Sequence, residues 1–392
     1  MRIKKKDILF EQRVKGNLPI PKEVKQLYDL FRKNGFVLYI VGGAVRDTLL
    51  SRPIKDYDLA TDAPPEAMVK MLDSKGIRNV PVEVGGVQAV VNVHMNDDYE
   101  IATFREDSKE GDGRRPDSVT FSTIENDAKR RDLTINSLYY DIATNEIIDL
   151  VGGMEDIKNK VIRTVGKATE RFDEDRLRIL RAIRFAARVD SPLDSDIDKS
   201  LMTNSSLTGP NGKKISGQRI MEEVIKGIGS AVHPKQFMNL IDRYGLFDEI
   251  FPGVEINKDY LNTHTPEVAL AGLFRDGNPN EIAKTLNKLN YAGTFGDNVS
   301  FLIKFKNNMN IDNFYDLKLD FDKKNIDGKL LQEFADLLGL DKNMTSKFIA
   351  FNTSIDGEDV MRKFNIKQGR GVYLKKKELE TDLFTKALKN GR

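Results

Sequence analysis

Asp56-Tyr57-Asp58 puts two carboxylates two residues apart. If Asp56–Ala60 is a strand, as its pattern predicts, alternation turns both side chains to the same face. Carboxylates held that close repel one another unless a cation lies between them, so the pair is a candidate magnesium site. Just upstream stands Gly42-Gly43-Ala44-Val45-Arg46. Paired glycines between a strand and a helix let the backbone approach a phosphate closely, and Arg46, one turn into that helix, can add a charge-assisted contact. Glu100, in an expected strand Glu100–Phe104, is a candidate third carboxylate, although a solvent-facing strand glutamate fits its pattern equally well.

Two further constellations follow. Arg130-Arg131-Asp132-Leu133-Thr134-Ile135-Asn136 reads as a helix start at which two arginines could clamp a triphosphate, with Asp132 orienting them. Glu174-Asp175-Arg176-Leu177-Arg178 opens a helical stretch in which Arg178, Arg181, Arg184 and Arg188 share one side, while Leu180, Ile183 and Ala187 share another. Asp175 and Arg178 are three apart and therefore neighbours on a helix. Four arginines on one side demand an anionic counterpart.

These residues need a scaffold. From Gly35 to about Leu150 the chain reads as short β-rich runs: Phe36–Val41, Asp56–Ala60, Ala89–His94, Glu100–Phe104, Ser118–Phe121 and Ile147–Leu150, with a short helix over Ala44–Leu50. After Asp173 the pattern is helical to the end, broken by turns near Asp190–Ser195 and Thr208–Lys214. Strands first and helices after predict an α+β catalytic head on an all-helical remainder. The 392 residues suffice for two or three packed units. Cysteine is absent, so disulfides, thiolate zinc sites and cysteine nucleophiles are excluded. The three histidines, His94, His233 and His264, match no metal spacing. No apolar run has the length of a membrane span, and no signal-peptide pattern follows the basic N-terminus, so a cytoplasmic enzyme is expected. Net charge is only +2, but basic groups cluster at Arg176–Arg188, Lys213–Lys214 and Lys375–Lys377.

Gly-Gly-x-x-Arg, Asp-x-Asp, Arg-Arg-Asp and Glu-Asp-x-x-Arg, in this order, resemble the class II tRNA nucleotidyltransferases, specifically the bacterial CCA-adding enzymes. The resemblance is strong over residues 20–190 and weaker over Ile215–Gly253. It implies a DNA polymerase β-like nucleotidyltransferase head over 20–150, a neck with the nucleotide-reading helix over 151–214, a helical body over 215–275 and a helical tail for tRNA binding over 276–392. It also implies that Asp56 and Asp58 bind Mg2+ with Glu100 assisting, and that Gly42, Gly43 and Arg46 meet the phosphates of the incoming nucleotide. Arg131 would contact that nucleotide, Asp175 and Arg178 would read its base, and Arg181 and Arg184 would support the triphosphate or the neck helix. The implied partners are tRNA, CTP and ATP, in a monomer or homodimer. An ionised aspartate only accepts hydrogen bonds and an arginine only donates them. Cytosine and adenine each offer an amino donor beside a ring-nitrogen acceptor, which such a pair matches. Uracil and guanine reverse the order.

Poly(A) polymerase shares the head motifs, an A-adding enzyme of a split pair could share the loop discussed next, and a noncatalytic RNA-binding protein on a relict head is a reading of another class. The segment Arg105–Asp117, ending in Asp112-Gly113-Arg114-Arg115-Pro116-Asp117, resembles the flexible loop of CCA-adding enzymes. Its charge and glycine content predict a mobile surface loop. One pocket must take cytosine twice and then the larger adenine, and a hinged loop could drive that shift. Shortening Ser108–Arg115 should leave two C additions nearly intact and sharply slow the terminal A. Sequencing tRNA 3′ ends after incubation with CTP and ATP checks this: unimpaired CCA synthesis rules out the loop as a switch.

Overall fold

Residues 11–84, 87–107, 119–352 and 355–389 are described by the computed structural model. The stretch 108–118, which carries most of the expected loop and Ser118, lies outside them. The chain divides into two compact units, residues 1–215 and 216–392.

In the first unit eight strands form one sheet. They are β1 (Gln12–Lys15), β2 (Leu38–Val41), β3 (Asp58–Thr61), β4 (Arg78–Val84), β5 (Val87–His94), β6 (Asp98–Thr103), β9 (Leu138–Asp141) and β10 (Glu146–Asp149), in the order β1-β10-β9-β2-β3-β6-β5-β4. A separate ribbon pairs β7 (Arg105–Asp107) with β8 (Val119–Phe121). Every pairing in the large sheet is antiparallel except β3 with β6. Alternation gives the sheet two buried faces. One carries Leu38, Ile40, Leu59, Val91, Ile101 and Tyr140 beneath α1 (Lys22–Lys33), α2 (Gly43–Leu49) and α3 (Pro65–Asp73). The other carries Val41, Ala60, Tyr139 and Ile148, packed with Ala128 of α4 (Ile124–Arg130).

Several expected boundaries move, for local reasons. Strand β2 begins at Leu38 because Phe36 N–H still donates to Phe31 O, closing the turn after α1. Strand β3 begins at Asp58 and not Asp56, because its partner β2 ends opposite it at Val41 and then turns into Gly42. Asp56 therefore precedes the strand. Strands β1, β4, β7 and β9, helices α1, α3 and α4 and the helical stretches Gly153–Lys158 and Ala168–Glu174, which precede the expected helical start after Asp173, were not read from the sequence. Strand β1 is a fully exposed QRVK run without apolar alternation, and β4 alternates Val80, Val82 and Val84 but carries Pro81, which argues against a strand. Arg-Arg-Asp does not start an α-helix: Arg131 is extended (φ −65°, ψ 162°), so α4 ends at Arg130, and only a single 3-10 turn over Thr134–Asn136 follows. Likewise Asp175 is extended (φ −149°, ψ 107°) and separates α6 (Ala168–Glu174) from α7 (Leu177–Val189). Glu-Asp-x-x-Arg thus straddles a break between helices.

After β10 the chain is helical, with α5 (Gly153–Lys158) and α8 (Ser195–Thr203) flanking α6 and α7. The entry to α5 is built around Asp149, which is fully buried. Its carboxylate accepts the N–H groups of Val151 (3.0 Å), Gly152 (2.8 Å), Gly153 (3.1 Å) and Met154 (2.8 Å). Those donors are orphans of a turn and a helix start. Gly153 is obligatory there, since a Cβ would sit 2.2 Å from Thr134 O.

The second unit contains eleven helices between Gly217 and Lys389 among the described residues. Part of its core is a phenylalanine cluster. Phe314 stacks on Phe384 at 3.8 Å between centroids, and Phe348 packs against Phe301, Phe305, Phe314 and Phe321. Among the described residues no helix is long and apolar enough to cross a membrane.

Replacing Asp149 by Ala leaves four backbone donors without an acceptor. Asp149→Ala should destabilise the first unit by roughly 3 kcal/mol, with Asp149→Asn losing less. Urea unfolding followed by far-UV circular dichroism measures this, and a loss below about 1 kcal/mol would refute the anchoring role.

Candidate active site

Strands β3 and β6 run parallel with Asp58 directly opposite Glu100. Asp58 shares its sheet face with Ala60, two residues on, and therefore looks toward the α4 side. Both acids are exposed, Asp58 at the start of β3 and Glu100 at the third position of β6, and Asp56 lies two residues before Asp58. The protein around Asp58 desolvates its carboxyl, and Asp56 and Glu100 repel its charge. Arg131 and Arg46 offset this only in part, so the carboxyl is pushed up to about 6. Among the described residues no three acidic or imidazole side chains close round a point to hold an ion by themselves. Magnesium requires less: one or two carboxylates, with water and substrate phosphates completing its octahedron. Asp56 and Asp58 fit that requirement, because the charge that burial, Asp56 and Glu100 disfavour on Asp58 is one that a cation would relieve.

Facing the acids is a basic wall. Gly42 adopts φ +71°, open to glycine, and a Cβ there would lie 3.9 Å from Arg131 Nη1 and 3.6 Å from Asn136 O. A Cβ on Gly43 would lie 3.7 Å from Arg46 Nη2 and 3.8 Å from Asp56 Oδ1. The glycine turn is thus in reach of one acid and two arginines. Arg46 is buried, donating from Nε to Asp47 Oδ1 (2.9 Å) and from Nη1 to Asn136 Oδ1 (2.5 Å). Burial, countered by Asp47 but reinforced by Arg188 and Arg184, draws Arg46 below the usual arginine value. Phe185 of α7 lies under three guanidiniums, 4.3 Å from Arg184, 5.0 Å from Arg46 and 5.7 Å from Arg181.

Asp127, to which the sequence reading gave no role, organises the arginine pair. Its buried carboxylate accepts from Arg130 Nε (2.9 Å), from Arg131 Nε (3.1 Å) and Nη2 (3.0 Å), and from Tyr139 Oη (2.7 Å). Burial opposes its ionisation, yet Arg131 and Arg130 hold it down to about 2. Asp132, expected to orient those arginines, instead accepts Arg181 Nε at 2.7 Å. Burial works against its charge too, but Arg181 holds it at about 2. Asn136 is a second residue without an assigned role. It is buried, and its Nδ2 has no hydrogen-bond partner although Oδ1 is engaged by Arg46. A lone buried amide donor beside the glycine turn signals a missing acceptor. Only position in the Arg-Arg-Asp segment pointed to Asn136, whereas Asp127 had no motif to reveal it.

On α7 the arginines find protein carboxylates. Arg178 reaches Glu174 (2.6 Å), Arg181 reaches Asp132, and Arg188 reaches Asp47 (2.9 Å), while Arg184 packs on Phe185. Asp175 Oδ1 accepts Leu177 N–H (3.0 Å) at the start of α7. The structure therefore brings Asp56, Asp58, Glu100, Gly42, Gly43, Arg46 and Arg131 to one locality. Asp175 and Arg178 stand at the helix joint beyond Arg130, whose carbonyl accepts from Arg178 Nη2 at 3.2 Å.

Comparison with known proteins matches residues 38–163 to the family described as the Poly A polymerase head domain. A CCA-adding enzyme of Enterococcus faecalis is 45% identical over 212 residues, covering 53% of this chain and 50% of the relative. The chain thus spans about half the length of the curated relatives it matches. The crystal structure of the Bacillus stearothermophilus CCA-adding enzyme in complex with CTP superposes with a TM-score of 0.68 at 24% identity, covering 94% of this chain and 93% of that one. A tRNA nucleotidyltransferase complexed with a primer tRNA and an incoming ATP analog gives 0.60 at 21% identity, over 87% of this chain and 100% of that one. The fold is therefore a polymerase β-like nucleotidyltransferase head followed by a helical region, similar to CCA-adding enzymes in sequence over about half its length and in fold over nearly all of it.

Proposed function

We propose that the chain adds C, C and A to the 3′ end of tRNA from CTP and ATP without a nucleic-acid template, releasing pyrophosphate. The carrying observation is the repelling group Asp56, Asp58 and Glu100 beside the glycine turn walled by Arg46 and Arg131. Such a site suits in-line attack of an RNA 3′-hydroxyl on the α-phosphate of a nucleoside triphosphate. Magnesium held by Asp56 and Asp58 would stabilise the attacking and leaving oxygens. Arg46 and Arg131, fixed by Asp47, Asn136 and Asp127, offer preorganised positive charge to the phosphates. Arg184 and Arg181, on the same wall, would reinforce it.

Asp175 and Arg178 would form the acceptor–donor pair that takes cytosine or adenine. Arg178 uses three contacts, to Glu174, Arg171 O and Arg130 O, and a guanidinium has five N–H donors, so donors remain for a base. For the RNA partner the second unit supplies charge. The run Arg362–Lys377 (RKFNIKQGRGVYLKKK) contains seven basic residues and no acidic one, in a chain of net charge +2. Two aromatics, Phe364 and Tyr373, are exposed within it, and Lys375 Nζ lies 4.7 Å from the Phe364 ring. A basic, aromatic-bearing surface suits phosphate contacts and base stacking. On this reading residues 151–214 act as neck, 215–275 as body and 276–392 as RNA-binding tail of a cytoplasmic enzyme.

Incubating the protein with tRNA ending at the discriminator base, CTP, ATP or both, and sequencing the products tests the reading; absence of added C and A refutes it. Three variants refine it. Asp56→Ala or Asp58→Ala should abolish every addition while RNA binding, resting on phosphate contacts elsewhere, survives. Asp175→Ala should let UTP and GTP compete, an effect of roughly 1–3 kcal/mol in C-over-U preference. The acid pair also gives a pH signature. With its folded value near 6 and an ordinary carboxylate value when unfolded, Asp58 binds more protons in the folded state between those values. Its contribution favours folding at low pH and is lost as pH rises through about 6. Asp58→Asn should therefore raise the metal-free melting temperature at pH 7.5 but not at pH 4, and added Mg2+ should stabilise the wild type more than the variant. Equal melting temperatures at pH 7.5 would remove the strain from Asp58.

A further inference from the structure

The sheet face that carries Asp58 continues past the acids to β4, a border of the sheet. Asp58 is paired with Glu100, Glu100 with Asn92, and Asn92 with Val80. Two residues along the strands, Asp98, His94 and Arg78 form a second row. Paired residues share a face, so both rows lie on the side of Asp58. The alternate residues Val91 and Val93 point into the core beneath. Glu100, Val80 and Arg78 are exposed, and Asn92 is half-buried. Asn92 breaks the buried run Val90, Val91, Val93 with a residue type that strands disfavour. The sheet does not employ it: among the described residues its side-chain amide makes no hydrogen bond. Among them Arg78 makes no side-chain hydrogen bond or ion pair either, whereas His94 pairs with Asp98 at 2.7 Å.

In an in-line displacement the attacking oxygen bonds to phosphorus opposite the bond that breaks. The groups set to receive the triphosphate lie on the β2–β9 side of Asp58. Gly42 continues β2, and Arg131 lies 5.3 Å over the Tyr139 ring of β9. Pyrophosphate therefore leaves on that side, and the attacking 3′-hydroxyl arrives from the other, over β6, β5 and β4. We propose that Asn92 binds the 2′-hydroxyl of the RNA's 3′-terminal ribose and that Arg78 meets the phosphate on its 5′ side, an inference that rests on the transfer reaction proposed above. Asn92 stands one strand spacing from Glu100 and two from Asp58, about 5 and 10 Å, within reach of a ribose whose 3′-oxygen lies at the acids. Its amide both donates to and accepts from a hydroxyl. Arg78 adds a charge-assisted contact at the border, and the exposed Val80 gives the sugar an apolar floor. Each addition leaves a new 3′-terminal ribose, so one contact serves every step, and a deoxyribose terminus lacks it.

The test uses tRNA ending at the discriminator base, with its last residue either ribose or 2′-deoxyribose and the 3′-hydroxyl intact in both. C addition is measured for wild type, Asn92→Val, Asn92→Thr and Arg78→Ala, alongside thermal unfolding. In wild type the deoxy terminus should lower kcat/KM for tRNA about tenfold. Asn92→Val should use the ribose terminus about tenfold less well and lose no more than about twofold further on the deoxy terminus, since the two changes remove one contact. Asn92→Thr, which differs from the valine variant by a hydroxyl, should recover part of the preference for ribose. Arg78→Ala should keep the full deoxy penalty, raise KM for tRNA and flatten its dependence on salt by about one unit of logarithmic slope. KM for CTP should stay within about twofold throughout. A wild type indifferent to the 2′-hydroxyl overturns the proposal, as does a deoxy penalty of full size in Asn92→Val. So does a parallel rise in KM for CTP with a lower melting temperature. A wild type that adds neither C nor A overturns the proposed function itself, and this inference with it.

Discussion

Pairing β3 with β6 in parallel sets Asp58 beside Glu100, and Asp56 adds a third negative charge two residues away. Like charges at this spacing are unfavourable unless something positive is brought to them. The rest of the head accommodates that constraint. Asp56, Asp58 and Glu100 are all exposed to solvent, while the apolar residues of β3 and β6 hold the two strand acids from below. Gly42 takes φ +71°, and the Gly42-Gly43 turn at the end of β2 keeps side chains away from that side of the acids. The unfavourable arrangement is tolerable because the strands that carry it are well buried elsewhere, with Leu59 and Ile101 in the core.

The arginines opposite are held by a different rule. Asp47, Asp127, Asp132 and Glu174 each hold an arginine by at least one short contact. These carboxylates do not cancel the positive field so much as fix the planes from which it acts. A guanidinium held by one edge still presents its other donors outward, already oriented. Unoriented arginines would have to lose side-chain freedom at the moment a ligand arrived.

Residues whose chemistry is declared by type and spacing were legible in the chain: the acid pair, the glycine turn, Arg46 and the Arg-Arg-Asp and Glu-Asp-x-x-Arg runs. Their supports were not. Asp127 sits within an ordinary helical stretch, and only the fold brings Tyr139 from β9 against it. The division of Glu-Asp-x-x-Arg between two helices could not be read from spacing, since i,i+3 proximity survives the break. Glu100 was ambiguous because a strand glutamate beside one acid or beside water has the same local pattern; the parallel register places it opposite Asp58 while it remains exposed. The β-rich head followed by helices was readable from periodicity. Strands β1 and β4 were not: β1 is exposed throughout, and Pro81 interrupts the valine alternation of β4.

Strand β1 also forms one border of the large sheet. Among the described residues strand β1 pairs only with β10, covering the backbone of Glu146–Asp149, which includes the buried Ile147 and Ile148. Its own outer edge is short, with Arg13 held by Glu11 and Lys15 reaching Thr144 O and Glu146. A short, charged border of this kind is a poor template for another chain's backbone. A chain trimmed beyond Lys15 would instead present β10 as the border, with open hydrogen-bonding groups flanked by isoleucines. Its first defect would be sticking to its neighbours, well before any loss of chemistry.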